Sequence, residues 1–386
     1  MNSVRYHNVS PQNDNQEGFT QFSQITFELS GDGRLLKPNS VCLDADIVVE
    51  STAGTHVVHT DVITMDRYNG FHNFFSNITT EYPGGQLEHI EEYPRWYKSV
   101  AVATADEQSY NSAMANAEGR DGLQNASNSR LQLQGAKATD SNNAAFQGSR
   151  FKTPNFSIKP AIALNRTITA EGGGYSFSDN GNIRLTFALE RNGKALFGQG
   201  LSVTGLYTLK NVKLRYMTTP DLGKDKRPKL MMESVVNIKQ TAQSQQTSID
   251  ARVSSNAVKG VVINFLRQDR ESDLKSNNNR LEQFPLLDKV NFRINDEQSN
   301  FISYDLESRA EMVSNGLKAL SEAGFNKVHA RGLWSGESYL IGASFDQYMS
   351  LVNNKLTVDL HSSSPNMSVP GQGFNVYLYF LTMISL

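Results

Sequence analysis

The sequence of 386 residues contains one cysteine, two tryptophans and no long apolar run. A single thiol, Cys42, excludes a disulfide bond within the chain, and its apolar neighbours predict a buried structural residue on a strand rather than a nucleophile. No stretch approaches the roughly 20 apolar residues of a membrane-spanning helix. The first 18 residues are polar, so we expect no signal peptide and no secretory route.

Neither positive nor negative charge is in large excess. The chain has 37 Lys and Arg against 39 Asp and Glu, a formal net charge of −2. Such a balance disfavours a protein whose main task is to bind the phosphate backbone of nucleic acid, and the sequence predicts no sequence-specific nucleic-acid binding. The basic residues of segment 224–229 are interpreted as a solvated linker.

Histidines are few, and they do not form a metal-binding pattern. His56 and His59 are three residues apart, and Asp61 and Asp66 follow them. A zinc site needs at least three ligands of defined geometry, and this spacing does not supply a third. We interpret the pair as loop histidines and predict no metal.

The acidic cluster Glu88, Glu91 and Glu92, with His89, is the strongest candidate for hydrolytic chemistry. It directly precedes a predicted helix, and negative charge is favourable at a helix N-terminus. The glycines at 172–174 are not followed by the Lys-Ser/Thr of a phosphate loop. We therefore predict no catalytic residue and no cofactor, and we do not expect an enzyme.

Alternation of apolar and polar residues dominates the chain and predicts antiparallel sheets with one buried face, an all-β fold. We expect an N-terminal arm at 1–18, a first sandwich at 19–219 with a long loop insertion at about 105–150, a linker at 220–230 and a second sandwich at 231–386. The clearest predicted strands are 25–29, 41–47, 74–82, 183–189, 207–217, 234–241, 258–266, 290–294, 356–360 and 374–384.

One arrangement occurs twice. The segment FFSNITTEYPGGQLEHIEEYPRWYKSV (74–100) reads as a strand, a turn and a helix, and LLDKVNFRINDEQSNFISYDLESRAEMV (286–313) repeats that pattern. In this pairing Ile78 corresponds to Val290, and the turn Pro83-Gly84-Gly85 corresponds to residues 295–297. A repeat of pattern without identity predicts two tandem sandwiches of the same kind.

The second predicted helix has the clearer apolar face. Apolar residues recur at helical spacing from Leu306 through Val313 to Leu320. Asp305 or Ser303 is the expected N-cap, and Gly324 is the expected C-terminal stop. In the first half, the helix is expected to begin near Pro94.

Three stretches resemble the double jelly-roll major capsid proteins of icosahedral DNA viruses, the lineage of tectivirus-like phages, adenovirus hexons and polinton-like viruses. They are NGFHNFFSNITTEYPGGQLEHIEEYPRWYKSV (69–100) with its Tyr93-Pro94 helix entry, FSIKPAIALNRTI (156–168) with the strands that follow it, and ESYLIGASFD (337–346) with LTVDLHSS and FNVYLYFLTMISL. The resemblance implies two tandem eight-stranded antiparallel jelly-roll β-sandwiches, each with a short helix after the fourth strand. Two departures are the 105–150 insertion and a second sandwich that is one or two strands short.

The same resemblance implies a function. It predicts a major capsid protein of the virion that forms homotrimers shaped as pseudo-hexamers and contacts neighbouring capsomers and penton or minor capsid proteins, with residues 1–18 beneath the shell and towards an internal viral membrane. Two alternatives stay open: a tandem β-sandwich carbohydrate-binding protein, and a minor or vertex capsid protein. The carbohydrate-binding alternative is disfavoured by the small number of tryptophans, Trp96 and Trp334.

Overall fold

The structure is a computed structural model. It describes residues 3–52, 55–56, 63–66, 68–104, 117–119, 155–166, 174–198, 206–221, 231–271, 273, 277–295, 302–304, 309–322, 339–365 and 373–385. The predicted linker 220–230 lies outside the described residues from 222 onward, as does nearly all of the 105–150 insertion.

Strands dominate the described chain. Those of the first half are β1 (Arg5–Val9), β2 (Gln24–Leu29), β3 (Leu35–Leu36), β4 (Cys42–Thr52), β5 (Thr55–His56), β6 (Ile63–Thr64), β7 (Phe75–Glu81), β8 (Leu87–Ile90), β9 (Asn155–Ile158), β10 (Tyr175–Ser176), β11 (Ile183–Leu189), β12 (Phe197–Gly198) and β13 (Leu206–Thr219). Those of the second half are β14 (Met231–Ala242), β15 (Gln246–Ala251), β16 (Val258–Arg267), β17 (Leu287–Ile294), β18 (Ile302–Tyr304), β19 (Ile341–Met349), β20 (Leu356–Ser362) and β21 (Phe374–Ser385).

Helices are short and few by comparison. They are α1 (Tyr93–Thr104), α2 (Phe177–Asn180), α3 (Asn192–Ala195) and α4 (Arg309–Glu322), with 3-10 turns at Gly70–Phe74, Ala163–Asn165 and Gln268–Arg270.

Each half of the chain forms two facing sheets, each built on four principal strands. In the second half the sheet orders are β14-β21-β16-β19 and β15-β20-β17-β18. In the first half β2-β11-β7-β8 forms one sheet, and β1, β13, β4 and β9 pair successively in the other, which also carries β3, β5 and β10. When the eight principal strands of each half are counted in chain order, both halves read 1-8-3-6 and 2-7-4-5. This is the jelly-roll order, present twice.

The repeat inferred from the sequence is confirmed at the strand level. β7 and β17 are the fourth principal strands of their halves, and the paired Ile78 and Val290 are both buried in the core. A helix follows in each half, but one strand later than predicted, because β8 and β18 are short fifth strands that return antiparallel to β7 and β17. The second sandwich is not short of strands, since it has all eight.

The segment 1–18, predicted to be a separate arm, contributes β1 to the first sandwich. Residues Arg5 to Val9 pair in antiparallel register with Leu214 to Thr218. Its polar sequence misled the prediction, because β1 is an edge strand whose outer side faces solvent, and most of its side chains are exposed. The boundary at residue 19 is therefore wrong as a domain boundary.

Local chemistry explains three further details. Leu209, Val212 and Leu214 of the predicted strand 207–217 all face the core, and the three-residue step from 209 to 212 is accommodated by an irregularity in the register between Lys210 and Lys213. Gly181 follows α2 with a φ of +81°, a conformation that glycine adopts without strain. Asn192-Gly193, a pair typical of turns, forms the first turn of α3.

Candidate functional site: the interface between the two sandwiches

Two strands of the second sandwich are buried on both faces. β16 and β21 are almost wholly buried. By contrast β13, the counterpart of β21 in the first sandwich, alternates between buried and exposed residues. Alternate residues of β21, such as Leu378, face the core of their own sandwich. Tyr377 and Tyr379 point the other way, onto α1 of the first sandwich. We call the interface formed by α1 and β8 with β14, β16, β21 and residues 277–282 the seam.

Aromatic and cationic side chains of α1 fill the seam. The Trp96 ring lies 5.4 Å from the Tyr379 ring, and the Arg95 guanidinium lies 4.3 Å above the Tyr377 ring. Asn264 on β16 donates to the Ser99 hydroxyl at 2.8 Å. Residues 93–103 of α1 are all buried, so this helix is shared by both sandwiches.

Arg95 holds the loop 277–282 of the second sandwich. Its guanidinium donates to the carbonyl oxygens of Asn278 and Arg280 at 2.5 and 2.7 Å. A buried guanidinium is costly unless its hydrogen bonds and charge are compensated, and here backbone carbonyls and an aromatic face supply that compensation.

Asp66 is the centre of a second buried group. Its Oδ2 accepts from Lys98 Nζ and from Asn277 Nδ2, both at 2.5 Å, and its Oδ1 accepts from the backbone N–H groups of Tyr68 and Asn69. Burial on its own would raise the pKa of Asp66. The charge and hydrogen bond of Lys98, with the bonds from Asn277 and Tyr68, outweigh it and lower that pKa below its ordinary value.

Glu88 forms a third buried group, between β8 and β14. Its carboxylate pairs with Arg166 at 3.3 Å, accepts from the Ala163 N–H at 3.0 Å and accepts from the Ser234 hydroxyl of the second sandwich at 3.1 Å. Burial raises the pKa of Glu88 although these partners favour the ionised form. Glu233 precedes Ser234 on β14, and burial raises the pKa of Glu233 to about 7.

The rim of the seam is polar. Lys194 of the first sandwich lies 3.1 Å from Glu92 and 3.8 Å from Glu271 of the second. Lys239 on β14 lies 2.6 Å from the same Glu271. The Tyr379 hydroxyl donates to the Glu92 carbonyl at 3.1 Å, which fixes the start of α1 to the second sandwich.

The seam also covers two sheet edges. β8 and β14 each lie at one edge of their sheets, and side chains join them: Ser234 donates to Glu88, and the Glu91 N–H donates to Asn237 Oδ1 at 3.1 Å. Unpaired edge strands are templates for aggregation, and natural proteins cover them. Here each sandwich covers an edge of the other.

The structure places the residues considered as sites in the sequence analysis as follows. In the acidic cluster, Glu88 pairs with Arg166 and accepts from Ser234 of the second sandwich, and Glu92 pairs with Lys194. His89 contacts the Thr79 hydroxyl at 2.7 Å. His56 lies in β5, while His59 and Asp61 lie outside the described residues, and no group of three metal-ligating side chains occurs in the described part of the chain. Cys42 begins β4, half-buried rather than buried, and burial raises the pKa of its thiol.

Sequence reasoning named Asp66 only as a neighbour of the histidine pair, and it missed the buried Arg95 and Lys98. The available signal was the unbroken apolar character of β21 and β16, which indicates strands covered on both faces, together with cations set among aromatic residues at the start of α1. In the ranges that the structure describes, no helix has the length and apolar character needed to cross a bilayer.

Comparison with known proteins finds no match at the level of sequence but several at the level of fold. No family model matches the chain. No curated protein matches it either.

Solved structures match over the full length of the chain. The Faustovirus major capsid protein gives a TM-score of 0.65 at 8% identity, covering 100% of this chain and 90% of that one. PBCV-1 VP54, fitted into a reconstruction of the virophage Sputnik, gives 0.60 at 11% identity, covering 100% and 95%. A chain of the Sputnik virophage gives 0.59 at 12% identity, covering 99% and 85%. With the strand order found twice above, these matches show that the chain has the double jelly-roll fold.

Proposed function

We propose that this protein is a major capsid protein, which self-assembles as trimers of pseudo-hexameric outline and tiles an icosahedral virion shell. The observation that carries the proposal is the full-length likeness to several viral capsid chains, at a TM-score up to 0.65, together with two sandwiches of the same strand order. Fold does not by itself establish function. The repeat adds an independent argument about assembly.

The contact between the two sandwiches of one chain suggests how two copies of the chain bind each other. Within one chain, α1 and β8 of the first sandwich pack on β14, β21 and β16 of the second. The topological equivalents are α4 and β18 in the second sandwich, and β1, β13 and β4 in the first. A second copy that places its β1-β13-β4 face against α4 would repeat the seam, and a head-to-tail contact of this kind closes into a ring when the rotation fits.

The proposed contact face differs from the seam in character. Its edge strand β1 carries Tyr6, which is 79% exposed. The outward side chains of β13 include Lys210, Lys213 and Arg215, and Arg215 pairs with Asp44 of β4. An exposed aromatic residue within a polar, charged face suits an interface that forms after folding. The two-faced burial of β21, by contrast, suits a contact made once within the chain.

The proposal places the protein in the virion, in contact with neighbouring capsomers and with penton or minor capsid proteins. It gives the chain a structural role without catalytic residues, cofactor or metal. We do not extend it to an internal membrane, because residues 5–9 of the segment predicted for that contact are a strand of the first sandwich.

The first experiment is the solution mass of the purified chain, by light scattering after size exclusion. We expect a species of three chains that persists on dilution through the micromolar range, and closed shells by electron microscopy when it is concentrated or expressed with its minor capsid partners. A monomer at all concentrations, with binding on a glycan array, would contradict the capsid role and favour the carbohydrate-binding alternative.

A further inference from the structure

Three functional groups at the seam have an arrangement that an ion pair alone does not require. Lys98 Nζ and Asn277 Nδ2 both donate to the same oxygen, Asp66 Oδ2, at 2.5 Å. The two nitrogens are therefore no farther apart than twice that distance. An amine, a side-chain amide and a carboxylic acid that contacts both are the components of an intramolecular amide exchange.

The amide of Asn277 is oriented and polarised for attack. Its Oδ1 accepts from the backbone N–H of Asn279 at 3.0 Å, and its Nδ2 faces the carboxylate. The opposite orientation would place Oδ1 against the negative oxygen of Asp66. An N–H aimed at the carbonyl oxygen stabilises the negative charge that develops there when the carbon is attacked.

The surroundings favour proton transfer within the group. The side chains of Lys98 and Asp66 are both 0% exposed, and the Tyr68 ring lies 5.4 Å from the amine. The pair rests as an ion pair. Transfer of one proton from Lys98 to Asp66 leaves a neutral amine and a neutral acid, and a dry site reduces the cost of that transfer. The two Asp66 Oδ1 hydrogen bonds hold the acid in place while it carries the proton.

We propose that Lys98 and Asn277 become joined by an isopeptide bond, with Asp66 as the proton carrier, so that the two sandwiches are covalently linked across the seam. Lys98 gives a proton to Asp66, and Nζ attacks Cγ of Asn277. The Nζ–Cγ bond forms, Asp66 protonates Nδ2, the Cγ–Nδ2 bond breaks, and the ammonia that leaves takes the second proton from Nζ. The lysine ammonium and the amide are thereby converted to a substituted amide and an ammonium ion. No electrons are transferred, and no other reactant is needed.

A second lysine of the seam serves as an internal comparison for Lys98. Lys194 is also a nearly buried lysine, and it pairs with Glu92 at 3.1 Å. Its other partner, Glu271, accepts from the Asn375 side-chain amide through Oε2, but Lys194 lies 3.8 Å from the opposite oxygen, Oε1. The amine and the amide therefore do not meet on one oxygen as they do at Asp66. We expect the bond at Lys98 and not at Lys194, whether or not the chain forms a capsid.

The test is the intact mass of the unsubstituted full-length chain, measured fresh and after several days at 37 °C, followed by peptide mapping. The expected result is a species lighter by about 17 Da, the mass of ammonia, together with a branched peptide that contains both residue 98 and residue 277. Denaturation should not reverse the loss. A chain that keeps its full sequence mass after incubation would overturn the proposal.

Two variants make the test specific. Lys98→Arg keeps a cation beside Asp66 but cannot form the bond, so the lighter species and the branched peptide should be absent. Lys194→Arg should retain both. Cyclisation at an Asn-Gly pair would also remove ammonia, but within one linear peptide, and a mass loss confined to such a peptide would overturn the proposal. If Lys98→Arg fails to fold, the peptide map of the unsubstituted chain still decides.

Discussion

The Arg95 guanidinium, on the helix of the first sandwich, donates to the Asn278 carbonyl of the second at 2.5 Å. These residues are 183 positions apart in the chain, and neither group is accessible enough to be satisfied by bulk water. The carbonyls of the loop 277–282 are thus held by a side chain from the other sandwich.

Replacement of Arg95 by Met should therefore destabilise the fold by about 2–4 kcal/mol, because it leaves two carbonyls of a buried loop without their donor. Chemical denaturation followed by tryptophan fluorescence measures this free energy of unfolding. Arg184→Met is the matched control, since Arg184 is largely exposed and its pair with Glu81 spans 3.8 Å. We expect a change below about 0.5 kcal/mol there. Equal losses in both variants would refute the role of Arg95.

Glu233 should make the fold more stable in mild acid than at neutral pH. Burial raises its pKa in the folded protein from 4.5 to about 7. Between these values the folded state binds a proton that the unfolded state does not, so the free energy of unfolding should rise as the pH falls from 8 towards 5. The full shift corresponds to roughly 3–4 kcal/mol, and solvent screening brings the contribution below that value.

Urea denaturation of Glu233→Gln at several pH values measures this dependence. The variant should lose part of the rise that the unsubstituted chain shows, because its amide does not titrate. The nearby Arg166 and Lys259 remain in both proteins, so the difference between the two profiles isolates Glu233. Parallel profiles would show that Glu233 does not titrate in this range. Glu81→Gln, on an exposed strand end, serves as the control.

Tyr6 should contribute to association between chains and not to folding. It is 79% exposed on the edge strand of the proposed contact face. Tyr6→Ala should leave the denaturation midpoint of the isolated chain unchanged and weaken trimer formation by at least tenfold, a typical effect for an aromatic residue central to an interface. Phe22→Ala is the comparison, because Phe22 is 72% exposed and lies off that strand. A trimer unaffected by Tyr6→Ala would exclude β1 from the interface.

Gly342 should not tolerate a side chain. A Cβ built there would lie 2.4 Å from the Val261 carbonyl oxygen and 2.9 Å from Gly316 Cα, at the point where α4 crosses β19. Both neighbours are backbone atoms, so Gly342→Ala should cost at least about 1–3 kcal/mol. Ser314→Ala, on the exposed face of α4, should be close to neutral in the same thermal denaturation. A Gly342→Ala variant as stable as the parent would show that the helix can move away from the sheet.

The sequence was sufficient to predict the fold but not the seam. Period-two alternation identified strands such as β2, β11 and β13, and the pairing of Ile78 with Val290 revealed the repeat. Alternation failed for β1, whose buried side is hard to recognise because only five residues pair and most are exposed. It also overlooked β8 and β18, which are too short to show a period.

The seam could not be predicted because its partners are distant in sequence. Lys98, Asp66 and Asn277 lie in three separate segments, and no local pattern links them. Burial of a charged residue depends on what covers it. The cover of α1 comes from β21, more than 270 residues later in the chain. The apolar run of β21 is evident in the sequence, but the sequence does not show that α1 covers its outer face.

A helix shared by two sandwiches has a consequence for folding. If the chain were cut at the junction, the second half would expose Tyr377, Tyr379 and the edge of β14, and the first half would expose Trp96 and the edge of β8. Each half alone would therefore expose aromatic side chains and an uncovered strand edge to solvent. The two jelly rolls should therefore unfold in a single cooperative transition, and the gene should tolerate separation into halves only when both are synthesised together.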